Sequence, residues 1–442
     1  MRKIVFFLFI AATTYTARSQ SWNITGNTGT NRTVNFLGTT DQATLMLRIN
    51  NRYAGTIDSS ILRTFIGYGA GANTGTRGTA NAAMGFKSLN ANTVGAYNTA
   101  LGSYTLPVNT TANGNTVNGV YSLARNTTGR LNTAMGTVAL DFNKTGESNT
   151  AVGNSALLYN TTSSYNTAVG GGALAADTTG NYNAATGYLA MNNIYTGSYN
   201  TAIGSSALED ITTGSSNVGI GYFALEDVGA SSYNVAAGAN ILVYRLVGWN
   251  NTFIGANMYS NTNGLYNCIG LGQDISFTVS NQARIGNLAT NSIGGYANWT
   301  NLSDGRYKKD ITANVKGLDF IMKLQPVTYH LDVAGLDRKL HEGQKKIPNE
   351  FNEKAMAEKA KILFSGFIAQ DVEKAAKEAG YDFNGVDKPK NKDGFYGLRY
   401  EEFVVPLVKA KQEQQKVIEL LKKQNALLQK RIEQLEQLQG IK

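Results

Sequence analysis

The chain has 442 residues, 48 of them glycine but only one cysteine and two histidines, with a formal net charge of +9. The lone Cys268 excludes an intramolecular disulfide and a thiolate metal cluster, and His330 and His341 are too few to favour a zinc site or a Ser-His-Asp triad. The charge is no nucleic-acid footprint: residues 303–442 hold 26 Lys/Arg against 21 Asp/Glu, intermixed as on a solvated helical surface, and residues 1–302 hold 14 against 10. No cofactor, metal or nucleic-acid partner is expected. Cys268 reads as a small apolar filler, His330 as part of a strand and His341 as solvated.

In chain order, Met1–Ser19 reads as a secretory signal peptide. Arg2 and Lys3 give a basic start, Ile4–Ala12 is an apolar run too short to span a bilayer, and Ala17-Arg18-Ser19 is a small-x-small cleavage site. No later stretch has the length and apolarity of a transmembrane helix, so a secreted or surface-assembled protein is expected. Residues 20–63 mix short alternating runs with Gly/Asn turns and read as an N-terminal β cap or attachment segment.

Residues 64–301 are organised by a repeat. Asn81, Asn98, Asn115 and their successors to Asn251 stand 17 residues apart, each followed four residues later by glycine, from Gly85 to Gly255. The consensus is N-T-A-V-G-x-x-A-L-x-x-x-T-T-G-x-Y. At Asn267 and Gly270 the phase shifts, and the pattern ends near Gly286. So short a fixed period makes each unit one coil of a parallel β-solenoid, since helical repeats need about 33 residues or more. The A-V/I/M-G triplet is expected to form one strand and x-A-L a second, around a thin core of Ala, Val and Leu. The glycines turn the chain. Stacked coils would carry ladders of Asn and of Tyr (Tyr97, Tyr165, Tyr182, Tyr199, Tyr233, Tyr266), suited to structural stacking and equally to a cell-surface or host glycan or receptor. The A-I-G-x-x-A-like core resembles the left-handed β-roll heads of trimeric autotransporter adhesins, which implies three chains side by side.

The composition changes at Leu302–Lys308, LSDGRYK. Ser303 precedes Lys308 by five residues, with Asp304 and Arg306 between them, and a serine can act as a nucleophile when a neutral lysine serves as its base. By itself that spacing is weak. It is followed, in order, by SDGRYKKDI, GLDFIMKLQPVTYHL, FSGFIAQDVEKA and YGLRYEEFVVPLVKAKQEQ. These blocks resemble the C-terminal intramolecular chaperone domain of phage tail spikes and endosialidases, peptidase family S74, which myelin regulatory factors also carry. The resemblance implies a homotrimer-forming α+β domain over 302–403 that cuts itself off at Leu302–Ser303. Ser303 would be the nucleophile and Lys308 the base, with Asp304 and Arg306 supporting the loop. Within it, a helix is expected at Lys316–Leu324, a strand at Val327–Leu331, a charged helical insertion at Asp337–Lys361, a strand at Phe364–Ala369 and a helix at Gln370–Ala379.

Residues 404–442 end the chain as a helix. Ile418, Leu421, Asn425, Leu428, Ile432 and Leu435 alternate three and four apart, a coiled-coil seam broad enough for three strands. A secreted, self-processing trimeric fibre is the resulting expectation. Its rivals are a fibre with an uncut trimeric stalk and, less favoured, a glycan-cleaving spike. The latter would rest on Glu209, Asp210, Glu226 and Asp227, paired 17 residues apart.

Overall fold

The computed structural model describes residues 25–440 apart from 27, 32, 34, 76–77, 242–247, 261, 343–347 and 393. The signal-peptide reading of Met1–Ser19 lies outside these residues. A parallel β-solenoid of about 13 coils dominates the described chain. Its strands are mostly three residues long, as in Thr133–Met135, Thr150–Val152 and Thr167–Val169. Neighbours pair at a 17-residue offset, Thr150 on Thr167 and Ala151 on Ala168. The first step, Thr64 to Ala82, takes 18 residues and the last, Ile269 to Ala283, takes 14. Ahead of the stack, Leu45–Ile49 and Arg52–Asp58 form a hairpin whose second strand pairs antiparallel with Arg63–Ile66, closing the N-terminal edge.

The core is thinner than the consensus suggested. The middle strand residue (Ala134, Ala151, Ala168) and the Ala-Leu pair (Ala156, Leu157) are fully buried. The third strand residue points outward, leaving Val169 38% and Ile203 47% exposed. Period-two alternation requires this: with the middle residue inward, both flanks face out. The expected second strand at x-A-L is instead a turn, with Ser155 and Leu157 in the left-handed region at φ 56° and 50°. Adjacent Ala and Leu side chains both enter the core there, which an alternating strand would forbid.

Glycine's freedom matters most where coils meet. Gly153 has φ +139°, and a Cβ on it would lie 2.4 Å from the carbonyl oxygen of Gly170 in the next coil. The T-T-G glycine is needed for a different reason: Gly146 has no positive φ, but its Cβ would come within 2.2 Å of the Ser163 oxygen. The left-handed turn falls two residues later, on Ser148, Tyr165, Tyr182 and Tyr199. A β-branched residue occupies the other left-handed position, that of Ser155: Val138 at φ 51°, where later coils carry Asn240 and Asn257. Val138→Asn should therefore stabilise the protein by about 1 kcal/mol, read as a raised unfolding midpoint.

Two asparagine ladders fill the polar side of the core. In the first, Asn149 donates its backbone N–H to Asn132 Oδ1 (3.0 Å) and its amide to the Ser163 carbonyl (2.8 Å). Each buried side chain thus satisfies a turn in one coil and a backbone donor in the next. The ladder continues in phase beyond Asn251: Cys268, not Asn267, takes the next place and donates to Asn251 Oδ1 (2.9 Å), and Gly272 pairs with Gly255. The phase shift read at Asn267 and Gly270 comes one coil later. The second ladder, through Asn109, Asn126, Asn143 and Asn160, was not singled out in the sequence, although each of its residues stands three before the turn position held by Ala112, Gly129, Gly146 or Ser163.

That second ladder stops at Asp177, which is fully buried, and Ile194 and Ile211 follow in its place. Asp177 accepts from the Gly180 N–H (2.8 Å) and the Asn166 amide (3.1 Å). Burial nevertheless pushes its carboxyl up to about 7, against hydrogen bonds that favour the charged form. Glu226 is pushed to about 7 too, by burial and then by Glu209, Asp210 and Asp227. A folded-state pKa above the unfolded value means that the native state holds the proton longer. The stability these two groups contribute is then full below about pH 4, falls as pH rises towards 7, and is gone above. Denaturation at pH 5 and pH 8 should show a more stable protein at pH 5, and Asp177→Asn should remove part of the difference.

After irregular residues, a small α+β region follows. It contains α1 (Leu318–Ile321), α2 (Val333–Leu340), α3 (Glu350–Lys359), α4 (Ala369–Glu378) and α5 (Val404–Gln439). Strands Val327–His330 and Leu363–Gly366 pair antiparallel. Phe320, Val372, Phe383 and Phe403 centre its core, with α4 supplying Ala375 and Ala376 and its C-cap supplying Ala379. The first helix is shorter than expected, and the charged insertion divides into α2 and α3. These two cover the last solenoid coil: Ser276 Oγ donates to the Leu340 carbonyl (3.0 Å) and Lys359 Nζ to the Thr290 carbonyl (2.7 Å). His341, expected in solvent, is buried there, edge-on to the Tyr259 ring with its Nδ1 2.9 Å from the Asp337 carbonyl. No helix among the described residues is long and apolar enough to cross a membrane.

Candidate functional site

The site is a loop closed by its own side chains. Asp304 caps a short 3-10 turn, Gly305–Tyr307, by accepting from the Arg306 backbone N–H (2.9 Å). The same carboxylate takes the Arg306 guanidinium at Nε and Nη2 (2.6 Å to Nη2), a forked charge-assisted pair that fixes both residues. It holds the Asp304 carboxyl below its ordinary value and the Arg306 guanidinium above its own. The turn ends where the Lys308 N–H reaches the Gly305 carbonyl (3.2 Å).

One tight turn between them brings residues five apart side by side: Lys308 Nζ lies 2.7 Å from Ser303 Oγ. A base and a hydroxyl nucleophile at that distance are within proton-transfer reach. Both side chains and Leu302, 89% exposed, face solvent in the single chain. The loop thus unites Ser303, Lys308 and the Leu302–Ser303 bond, while Asp304 and Arg306 bind each other and shape the turn.

The seam residues lie on α5. Its first turns are held to the small domain through buried Phe403 and Ala410 and through Glu413, which accepts from the Leu318 N–H (2.8 Å). Beyond them Leu421, Asn425, Leu428, Ile432 and Leu435 are exposed and Ile418 is half-buried, an apolar seam uncovered within the chain.

The other candidate surfaces separate. The asparagines of the first ladder are buried and committed to backbone, so they offer nothing to a glycan. The tyrosines are exposed, with Tyr165, Tyr182 and Tyr199 stacked at 4.9 and 5.2 Å and nearly parallel. Glu209, Asp210, Glu226 and Asp227 sit in successive coils, where burial and then the neighbouring carboxylates push Glu226 and Asp227 up, and Asp210 is engaged by the Asn193 amide.

Neither a curated protein nor a solved structure matches the chain. A family model does, and its first matched residue is Ser303. Residues 303–381 match peptidase family S74, the chaperone of endosialidase.

Proposed function

We propose that the chain is the precursor of a secreted trimeric fibre, whose C-terminal domain assembles three copies and then removes itself at Leu302–Ser303. The observation that carries this is the 2.7 Å contact between Lys308 Nζ and Ser303 Oγ, at the head of the matched region. Lys308, once deprotonated, takes the Ser303 hydroxyl proton as Oγ bonds to the Leu302 carbonyl carbon. The Leu302–Ser303 C–N bond breaks, and the proton passes to the departing Ser303 amine. Water then hydrolyses the ester, giving a Leu302 carboxylate and restoring the serine hydroxyl. Each chain consumes its own site, so the reaction turns over once.

A lysine is a base only while its amine is neutral, a form that burial favours. The dyad is open to water in one chain, so packing of the three copies is the step that would dehydrate it. Cutting would then follow assembly. The uncovered seam on α5, Ile418 to Leu435, supplies the assembly element. Sequencing the N-terminus of the smaller fragment tests the reading, and Ser303 must be its first residue. Chains that stay full length would leave the domain as a permanent trimeric stalk.

A further inference from the structure

The outward face of the solenoid's strands has an unusual composition. Two side chains of each strand point out, such as Thr133 and Met135 or Thr150 and Val152. From Thr64 and Ile66 to Ala283 and Ile285, not one of these positions is charged. The second outward column is almost wholly apolar, and Met84, Leu101, Val169, Ile203, Ile220 and Ile285 in it are 38–51% exposed. The same coils carry charge elsewhere, on their turns, at Lys87, Arg125, Asp141, Lys144, Glu147 and Glu209. A chain that needed only solubility would spread charge over a half-exposed sheet.

We infer that this face is the surface by which the solenoids of the copies pack on one another, an inference that rests on the trimeric reading above. Each outward residue occupies about 4.8 Å by 6.8 Å of sheet, so the face covers roughly 850 Å². That is the area one partner gives to a standard specific interface, with the apolar second column making up about half of it. Its occupant must be straight, uncharged and about 60 Å long, with side chains repeating at the coil spacing. A second copy of this chain meets all four conditions. The exposed seam on α5 would hold the copies at one end and the strand face along the rest.

The test uses the full chain, in which Cys268 is buried and its thiol pushed up by that burial, so that it contributes little reactivity. Val152→Cys and Val169→Cys report on the face, and Lys144→Cys reports on an exposed charged turn. Oligomeric mass is measured first, then the rate of maleimide alkylation. The expected result is a trimer in which the two face cysteines react roughly tenfold more slowly than the turn cysteine, as in a dry interface core. A trimer alkylated equally at all three positions overturns the inferred face and leaves the trimer standing. A monomer overturns the trimeric reading and the face with it.

Discussion

Ser303→Ala is expected to give one full-length band on a denaturing gel, where the unaltered protein gives two. The alanine keeps the loop, since Asp304 and Arg306 bind each other without help from the hydroxyl. Only the nucleophile is lost, and an uncatalysed peptide bond is stable over any purification. Lys308→Ala should give the same single band. Lys308→Arg is the sharper variant: it retains a cation beside Ser303 Oγ but cannot surrender its proton at accessible pH. Processing lost in Lys308→Arg identifies the lysine as a base, whereas processing retained would reduce it to a charge that steadies the loop. All three variants should still form trimers, because the seam on α5 lies more than a hundred residues from the loop.

The second large effect is in the solenoid. Gly153→Ala should destabilise the protein by about 3–5 kcal/mol in chemical denaturation, from two additive causes. The φ of +139° is strained for any side chain, and the new Cβ would lie 2.4 Å from one backbone atom of the next coil and 2.6 Å from another. Neither neighbour is a side chain that can swing aside. Asn154→Ala, one residue along and outside the core, should change stability by less than about 0.5 kcal/mol. Equal effects from the two substitutions would mean that the close approach of successive glycines does not limit the stack.

Much of this was legible in the sequence because the fold is repetitive. One spacing, held from Asn81 to Asn251, is enough to give the coil length and the place of the strand. Ser303 and Lys308 could be singled out because the blocks around them resemble a known family, whose model matches from Ser303 onward. The failures have a common origin. A repeat shows which positions are constrained but not in which direction each side chain points. Val169 was therefore placed in the core, where strand alternation turns it outward, and Ala-Leu in a strand, where left-handed turns at Ser155 and Leu157 stand instead. Cys268 concealed the continuing ladder because the backbone N–H, not the side chain, is what Asn251 requires. His341 was misread because its neighbour, Tyr259, is remote in sequence.

The constant offset between coils also determines how such a molecule can change length. Interior coils present the same ladder and the same glycine contact to the coil above and the coil below. The two ends differ: an 18-residue step under the N-terminal hairpin, and a 14-residue step beneath α2 and α3. Insertion or loss of one complete 17-residue unit from the middle would lengthen or shorten the rod by about 4.8 Å and leave both ends as they were. A number of residues that is not a multiple of 17 would break the asparagine ladder that runs from Asn81 to Asn251. Length in this molecule is therefore quantised, adjustable by duplication or deletion in whole steps, and independent of the machinery at either end.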